Sequence, residues 1–241
     1  MEKIGLIPAA GYARRLGKFH GSKEMIPVNG GYGIEPVCHS LIRQFESAGI
    51  KKIVLVTRKD KIDLLHHVKF NLEFNVEIVT VILEKTNSTI ESICAAYELI
   101  REKEVYLGFP DMIMSPANAM STLLKVKGYS SANVVLGAFP ASDARKVDLI
   151  DIGLNNSLVD IVIKNSDCCY KYAWIIACWD ANFTEYLYNS FRIENLRSRD
   201  KEIYIGNIFL SYLKSGHDIE VHRYKGGYLD IGTPEELARL R

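Results

Sequence analysis

Short apolar runs separated by amphipathic stretches set the rhythm of the first half of the chain. Ile4–Ile7 is an uninterrupted apolar run that stops at Pro8, which predicts a buried parallel strand feeding a loop. From Pro36 to Ala48 the apolar positions Val37, Leu41, Ile42 and Phe45 recur at helical spacing. Gly49 then closes a helix before the strand Lys52–Thr57. The pattern predicts a helix over Asp60–Val68 and a strand over Val76–Leu83. Ser88-Thr-Ile-Glu91 reads as a capping box that opens a helix running to Ile100, and Val105–Phe109 as another buried strand. Alternation of this kind implies a mostly parallel sheet with helices on both faces, whose ligands sit beyond the carboxyl ends of the strands.

The rhythm changes after a predicted helix at Pro116–Lys127. Ala132–Phe139, Val147–Ile152, Leu158–Ile163 and Tyr172–Trp179 are strand-like, with Asn155-Asn156 as a turn, and extend the parallel core into a mixed sheet. Helices at Ala181–Ser190 and Gly206–Lys214, strands at Ile219–Tyr224 and Gly227–Leu229, and a terminal helix from Pro234 complete the reading. No linker, repeat or low-complexity tract interrupts the 241 residues. They are read as one domain, with a nucleotide-binding half at 1–115 and an acceptor-binding half at 116–241.

Composition narrows the partners. Thirty basic and 29 acidic residues leave a formal charge of +1, so no global field recruits nucleic acid or an anionic membrane, and any phosphate binding must be local. The five cysteines show neither CxxC nor Cys/His metal spacing, which argues against a disulfide framework and a zinc site. No apolar run approaches the roughly 18 residues of a membrane span, and the first strand leaves no room for a leader. A cytoplasmic protein is expected, and a homo-oligomer is left open.

Candidate chemistry begins where the first strand ends. Pro8-Ala-Ala-Gly-Tyr-Ala-Arg-Arg-Leu16 puts Ala9, Ala10 and Gly11 at the strand-to-loop junction, where backbone N–H groups can approach phosphate without side-chain obstruction; Arg15 and Lys23 add cations nearby. Such cations serve nucleotidyl transfer by neutralising charge on the departing pyrophosphate.

In order, Ile7-Pro-Ala-Ala-Gly11-Tyr-Ala-Arg-Arg15-Leu and Lys23-Glu-Met-Ile-Pro27-Val resemble the signature of the sugar nucleotidylyltransferases, AAG-x-G-x-R-L followed by PK-x-M-x-P-V. Ala13 replaces the second glycine and Ser22 the proline before the lysine. Leu107-Gly-Phe-Pro110-Asp111 and Tyr228-Leu-Asp230-Ile-Gly-Thr-Pro-Glu235 match two further family blocks. With Val134-Val-Leu-Gly-Ala-Phe-Pro140, they look like a bacterial subgroup similar to glucose-1-phosphate thymidylyltransferase. The resemblance runs end to end, in a short form without the hexapeptide-repeat domain of bifunctional relatives.

The resemblance implies a Rossmann-like, three-layer α/β/α fold of the GT-A-like nucleotidyltransferase type. It implies transfer of a nucleotidyl group from a nucleoside triphosphate to a sugar 1-phosphate, with Mg²⁺ held by Asp111 and Asp230 and catalysis by those two residues with Arg15 and Lys23. Lys164 aligns with the lysine that contacts the acceptor phosphate, although Ile163 and Asn165 depart from the family's E-K-P block. Trp174 lies near the acceptor region on a strand whose alternation also suits the core. For the base, Glu84, Asn87, Ser88 and Thr89 occupy the region where the family reads it, while Asn87 and Ser88 equally suit a helix cap; Pro110 belongs to the same nucleotide site. Two alternatives stay open: a cytidylyltransferase acting on a non-sugar phosphate such as phosphocholine, and a catalytically silent nucleotide-sugar-binding protein.

Overall fold

The computed structural model describes residues 1–16, 21–30, 33–70, 73–197, 203–232 and 236–237. In chain order the first half comprises β1 (Lys3–Pro8), the hairpin β2 (Pro27–Gly30) and β3 (Gly33–Pro36), α1 (Cys38–Ser47), β4 (Lys52–Arg58), α2 (Ile62–Phe70) and β5 (Glu77–Leu83). The short helices α3 (Thr89–Ala95) and α4 (Tyr97–Ile100) follow, then β6 (Glu104–Leu107) and β7 (Met112–Met114). The second half comprises α5 (Ala119–Tyr129), β8 (Val134–Pro140), β9 (Asp148–Ile152), β10 (Leu158–Ile163), β11 (Tyr172–Trp179), α6 (Ala181–Arg197), α7 (Ile205–Lys214), β12 (Ile219–Arg223) and β13 (Tyr228–Asp230). The terminal helix expected from Pro234 begins outside the described residues.

One nine-stranded sheet runs through both halves. β5, β4, β1 and β6 lie side by side in parallel, with Leu6 opposite Val54 on one flank and Leu107 on the other. β11 then runs antiparallel to β6, and its far edge carries β8 and, parallel to that, β12. The first part of β11 also pairs with β9, which leads to β10. Only β10 and β11 oppose the common direction, which is the mostly parallel mixed sheet expected.

Period-two alternation sorts the strand side chains onto two cores. Ile4 and Leu6 of β1, with Val54 and Val56 of β4, face Ile90 and Ile93 of α3, Phe183 of α6 and Phe209 of α7. Ile7, Ile53 and Leu55 face the other way, against Leu41 and Phe45 of α1, Leu64 of α2 and Met120 of α5. These helices make the outer layers. Gly49 ends α1 with φ +78°, a left-handed geometry open to glycine.

Three features differ from the sequence reading. The helix expected from Ser88 to Ile100 is interrupted at Ala96, whose backbone (φ −87°, ψ 0°) closes one short helix and opens the next. The hairpin β2–β3 was not expected. Nor was β7, which pairs antiparallel with β13 in a separate two-stranded ribbon. That ribbon bears on everything that follows.

Candidate active site

β1 and β6 are parallel neighbours, so the loops that leave them emerge on the same edge of the sheet. The loop after β1 carries Ala9 to Arg15 and the one after β6 carries Gly108 to Asp111. In the β7–β13 ribbon Asp230 sits opposite Met112, and the N–H of Ile231 donates to the carbonyl of Asp111 at 2.8 Å. Two aspartates far apart in the chain are therefore backbone neighbours. Both are buried, 6% and 7% exposed, which makes any uncompensated charge on them expensive.

Each carboxylate meets a cation. Lys23 Nζ donates to Asp111 Oδ2, and Arg15 Nη2 lies 3.4 Å from Asp230 Oδ2. Burial alone would raise the Asp111 pKa, but the charge and hydrogen bond of Lys23 hold it below the usual carboxylate range. Asp230 goes the other way: burial, then the neighbouring charge of Asp111, pushes it up to about 6 despite Arg15. Its Oδ1 is buried with no hydrogen-bond partner. A Cβ on Gly232 would come within 2.7 Å of that oxygen and 2.9 Å of Arg15 Nη2, so glycine keeps this space clear.

The phosphate loop is anchored from behind. Buried Lys61 donates to the carbonyl of Ala9 at 2.6 Å and pairs with Glu24 at 2.7 and 2.8 Å. Arg58, also buried, donates to the carbonyls of Ala10 and Gly11 and lies 3.8 Å from the centre of the Tyr12 ring. Fixing three successive carbonyls on these cations orients the peptide planes of the loop. Gly11 lines the cleft, and a Cβ there would meet nothing within 4 Å. Ala13 has φ +53°, a left-handed conformation in which glycine is less strained. The sequence reading missed Lys61, Arg58 and Glu24; their signal, charged residues that fold into the interior, has no local motif.

A cleft of about 370 Å³ opens on these groups. Its wall includes Arg15, Lys23, Asp111 and Asp230, together with Ala10, Gly11, Asn87, Ser88, Thr89, Lys164 and Trp174. Three residues singled out from the sequence are not on the wall. Ala9 is buried behind the loop, Pro110 is buried beside Asp111, and Glu84 is exposed and paired with Lys59. Ser88 caps α3, accepting from the N–H of Glu91 at 3.2 Å, while Glu91 accepts from the N–H of Asn87 at 2.6 Å. The Asn87 side-chain amide takes no part in these bonds, and the residue is exposed in the cleft.

Further wall residues are Tyr12, Thr86, Phe109, Lys146, Asp148 and Tyr204, none of them named as a site residue from the sequence. Lys164 has φ +43° and its Nζ stands 4.1 Å from the centre of the Tyr204 ring. Trp174 serves both core and cleft: it packs edge-on against Phe209 with ring centres 5.3 Å apart and also faces the opening.

The model of MobA-like NTP transferase domains matches residues 5–150, more than half of the chain. The chain belongs to that family. Solved structures resemble the transferase over nearly its whole length. A Bacillus anthracis protein assigned as a glucose-1-phosphate thymidylyltransferase, solved with sucrose, has a TM-score of 0.84 at 20% identity, covering 99% of this chain and 93% of that one. A UDP-glucose pyrophosphorylase complexed with UDP-glucose gives 0.84 at 18%, covering 100% and 97%. The inositol-1-phosphate CTP transferase of T. maritima gives 0.78 at 18%, covering 100% and 94%. At these identities the likeness establishes the Rossmann-like nucleotidyltransferase fold.

The transferase's paired aspartates have the chemistry of a divalent-cation site. Both offer hard oxygen ligands, Asp230 Oδ1 has no competing partner, and Gly232 leaves room beside it. Among the described residues no cluster of three His, Cys, Asp or Glu side chains forms a closed cage. Two carboxylates leave positions for phosphate oxygens and water, as suits a cation carried with a nucleotide.

Proposed function

We propose that this protein transfers the nucleotidyl group of a nucleoside triphosphate to a phosphate oxygen of a phosphorylated small molecule, releasing pyrophosphate. The observation that carries this reading is the convergence of Asp111 and Asp230 with Lys23 and Arg15 beside the clamped loop. In this reading the N–H groups of residues 10–13 receive the triphosphate, and Asp111 and Asp230 hold Mg²⁺. When bound, the metal supplies charge neutralisation to the phosphates.

An acceptor oxygen attacks the α-phosphorus in line, its new P–O bond forming as the bond to the β-phosphate oxygen breaks. The acceptor phosphate is ionised at neutral pH, so no strong general base is required, and among the described residues no histidine lines the cleft. Lys23 and Arg15 stabilise charge on the leaving pyrophosphate. Lys164 and Lys146, the latter paired with Glu236 at 3.0 Å, also line the cleft and are suited to the acceptor phosphate.

Sugar 1-phosphates are the acceptors favoured by the motif resemblance, and the UDP-glucose complex of a structural neighbour supports them. A cytidylyltransferase acting on a non-sugar phosphate is the second reading. Isoleucine and asparagine flank Lys164 where a sugar-binding glutamate and a proline are usual, and one neighbour is a CTP transferase for inositol phosphate.

Pyrophosphate release, assayed with each common triphosphate against a panel of phosphorylated acceptors, tests the reaction. Asp111→Asn and Asp230→Asn are each expected to lower turnover by about 10³-fold or more with the circular dichroism spectrum unchanged, as expected for lost transition-state charge stabilisation. Wild-type turnover in both variants overturns this site.

A further inference from the structure

The wall of the cleft divides by chemistry as well as by position. Among the described residues its Ser, Thr and Asn side chains, Thr86, Asn87, Ser88, Thr89 and Ser92, all come from the loop after β5 and the first turn of α3. The acceptor half, among the described residues, contributes no Ser, Thr, Asn or Gln to the wall. It supplies lysines, Asp148, the rings of Trp174 and Tyr204, and aliphatic residues such as Ile175 and Ile203. A pyranose ring presents several hydroxyls, and each one desolvated without a partner costs roughly 1–3 kcal/mol. At this end the groups left for them are charged or aromatic: Asp148, the lysines, the Trp174 indole N–H and the Tyr204 hydroxyl.

Asp148, the first residue of β9, is the carboxylate at that end. It packs against the start of α7 so closely that a Cβ on Gly206 would lie 2.6 Å from its Oδ2. Among the described residues it has no ion pair within 4 Å. Burial, the largest influence, lifts its pKa to about 6, opposed only by the more distant charge of Lys164 and the nearby indole N–H of Trp174. That indole nitrogen is itself buried without a full hydrogen bond. Beside them, the face of Tyr204 already carries an ammonium, the Lys164 Nζ. A desolvated carboxylate flanked by aromatic faces is the combination that binds an alkylammonium, through charge and cation–π attraction.

On the basis of the nucleotidyl-transfer reading, we infer that the acceptor is a phosphorylated amine, and that Asp148 with Trp174 and Tyr204 receives its primary or quaternary ammonium while the lysines hold its phosphate.

The test is pyrophosphate release in the presence of Mg²⁺ with phosphoethanolamine, phosphocholine, glucose 1-phosphate and 3,3-dimethylbutyl phosphate. The last is phosphocholine with carbon in place of the charged nitrogen. One ammonium acceptor is expected to exceed both neutral compounds at least tenfold in kcat/KM, and the comparison of phosphoethanolamine with phosphocholine separates primary from quaternary nitrogen. Asp148→Asn should then raise KM for that acceptor 10- to 100-fold, at least tenfold more than it changes KM for the neutral compounds, and Tyr204→Leu should act in the same direction. Preference for glucose 1-phosphate overturns the inference and leaves nucleotidyl transfer standing. So does an Asp148→Asn variant that lowers every acceptor equally, since Asp148 would then only be positioning Lys164. No pyrophosphate with any acceptor overturns the transfer reading and this inference with it.

Discussion

Asp230 concentrates the electrostatics of the site in one side chain. Its carboxyl titrates near 6 in the folded protein because burial and Asp111 disfavour its charge, against about 3.9 for a free aspartate. A raised carboxylate pKa means the folded state holds the proton more tightly than the unfolded chain. Its ionisation therefore costs nothing below about pH 4, a growing amount between pH 4 and 6, and the full amount above, on the order of 2–3 kcal/mol. Metal-free Asp230→Asn should accordingly melt several degrees higher than the wild type at pH 7.5 and show no gain at pH 4, measured by scanning calorimetry. Mg²⁺ with nucleotide should erase the advantage by stabilising only the wild type. Ala13 gives a second test. Its φ of +53° strains any side chain, so Ala13→Gly is expected to leave stability unchanged or raise it by up to about 1 kcal/mol in urea titration.

Among the elements, the loop after β1 owes its shape to the end of β4, the turn leading into α2 and the segment around Glu24 as much as to its own glycine. Lys61 and Glu24 are fully paired in the interior, with burial pulling the lysine pKa down and the glutamate pKa up. Lys61→Met should destabilise by roughly 3–5 kcal/mol, because it strands a buried carboxylate. Adding Glu24→Leu should recover most of that stability, yet the KM for the triphosphate should stay raised, since the Ala9 carbonyl remains unanchored. Recovery of both together would remove the clamp from the account. Elements of this size were mostly legible in the chain: β1, β4, β5, α1 and α7 each carry several periodic apolar residues, and Ser88 caps α3 as its spacing requires. β7 and β13 have three residues apiece, too few for any period to show, and their pairing is non-local. The loop cations and Asp111 were legible through motif. What motif could not convey is that Glu84 turns outward to Lys59 while Asp148, in an ordinary-looking strand, turns into the cleft.

At the scale of the whole molecule residues 1–115 and 116–241 share one sheet, joined where β11 lies against β6. We propose on this ground that they unfold together. Fluorescence of Trp174 and Trp179, both in β11, and far-ultraviolet circular dichroism should give coincident urea transitions, whereas separated midpoints would show independent units. The β7–β13 ribbon adds a constraint of order in time. During synthesis the loop after β1, Lys23 and Asp111 all precede the strand that delivers Asp230, which follows Asp111 by more than a hundred residues. Until residues 228–231 are translated and laid beside β7, a nascent chain can recognise a triphosphate with half its charge complement and no more. On the proposed reading competence waits on that single pairing, so a chain stopped short of Asp230 should bind a triphosphate without turning it over.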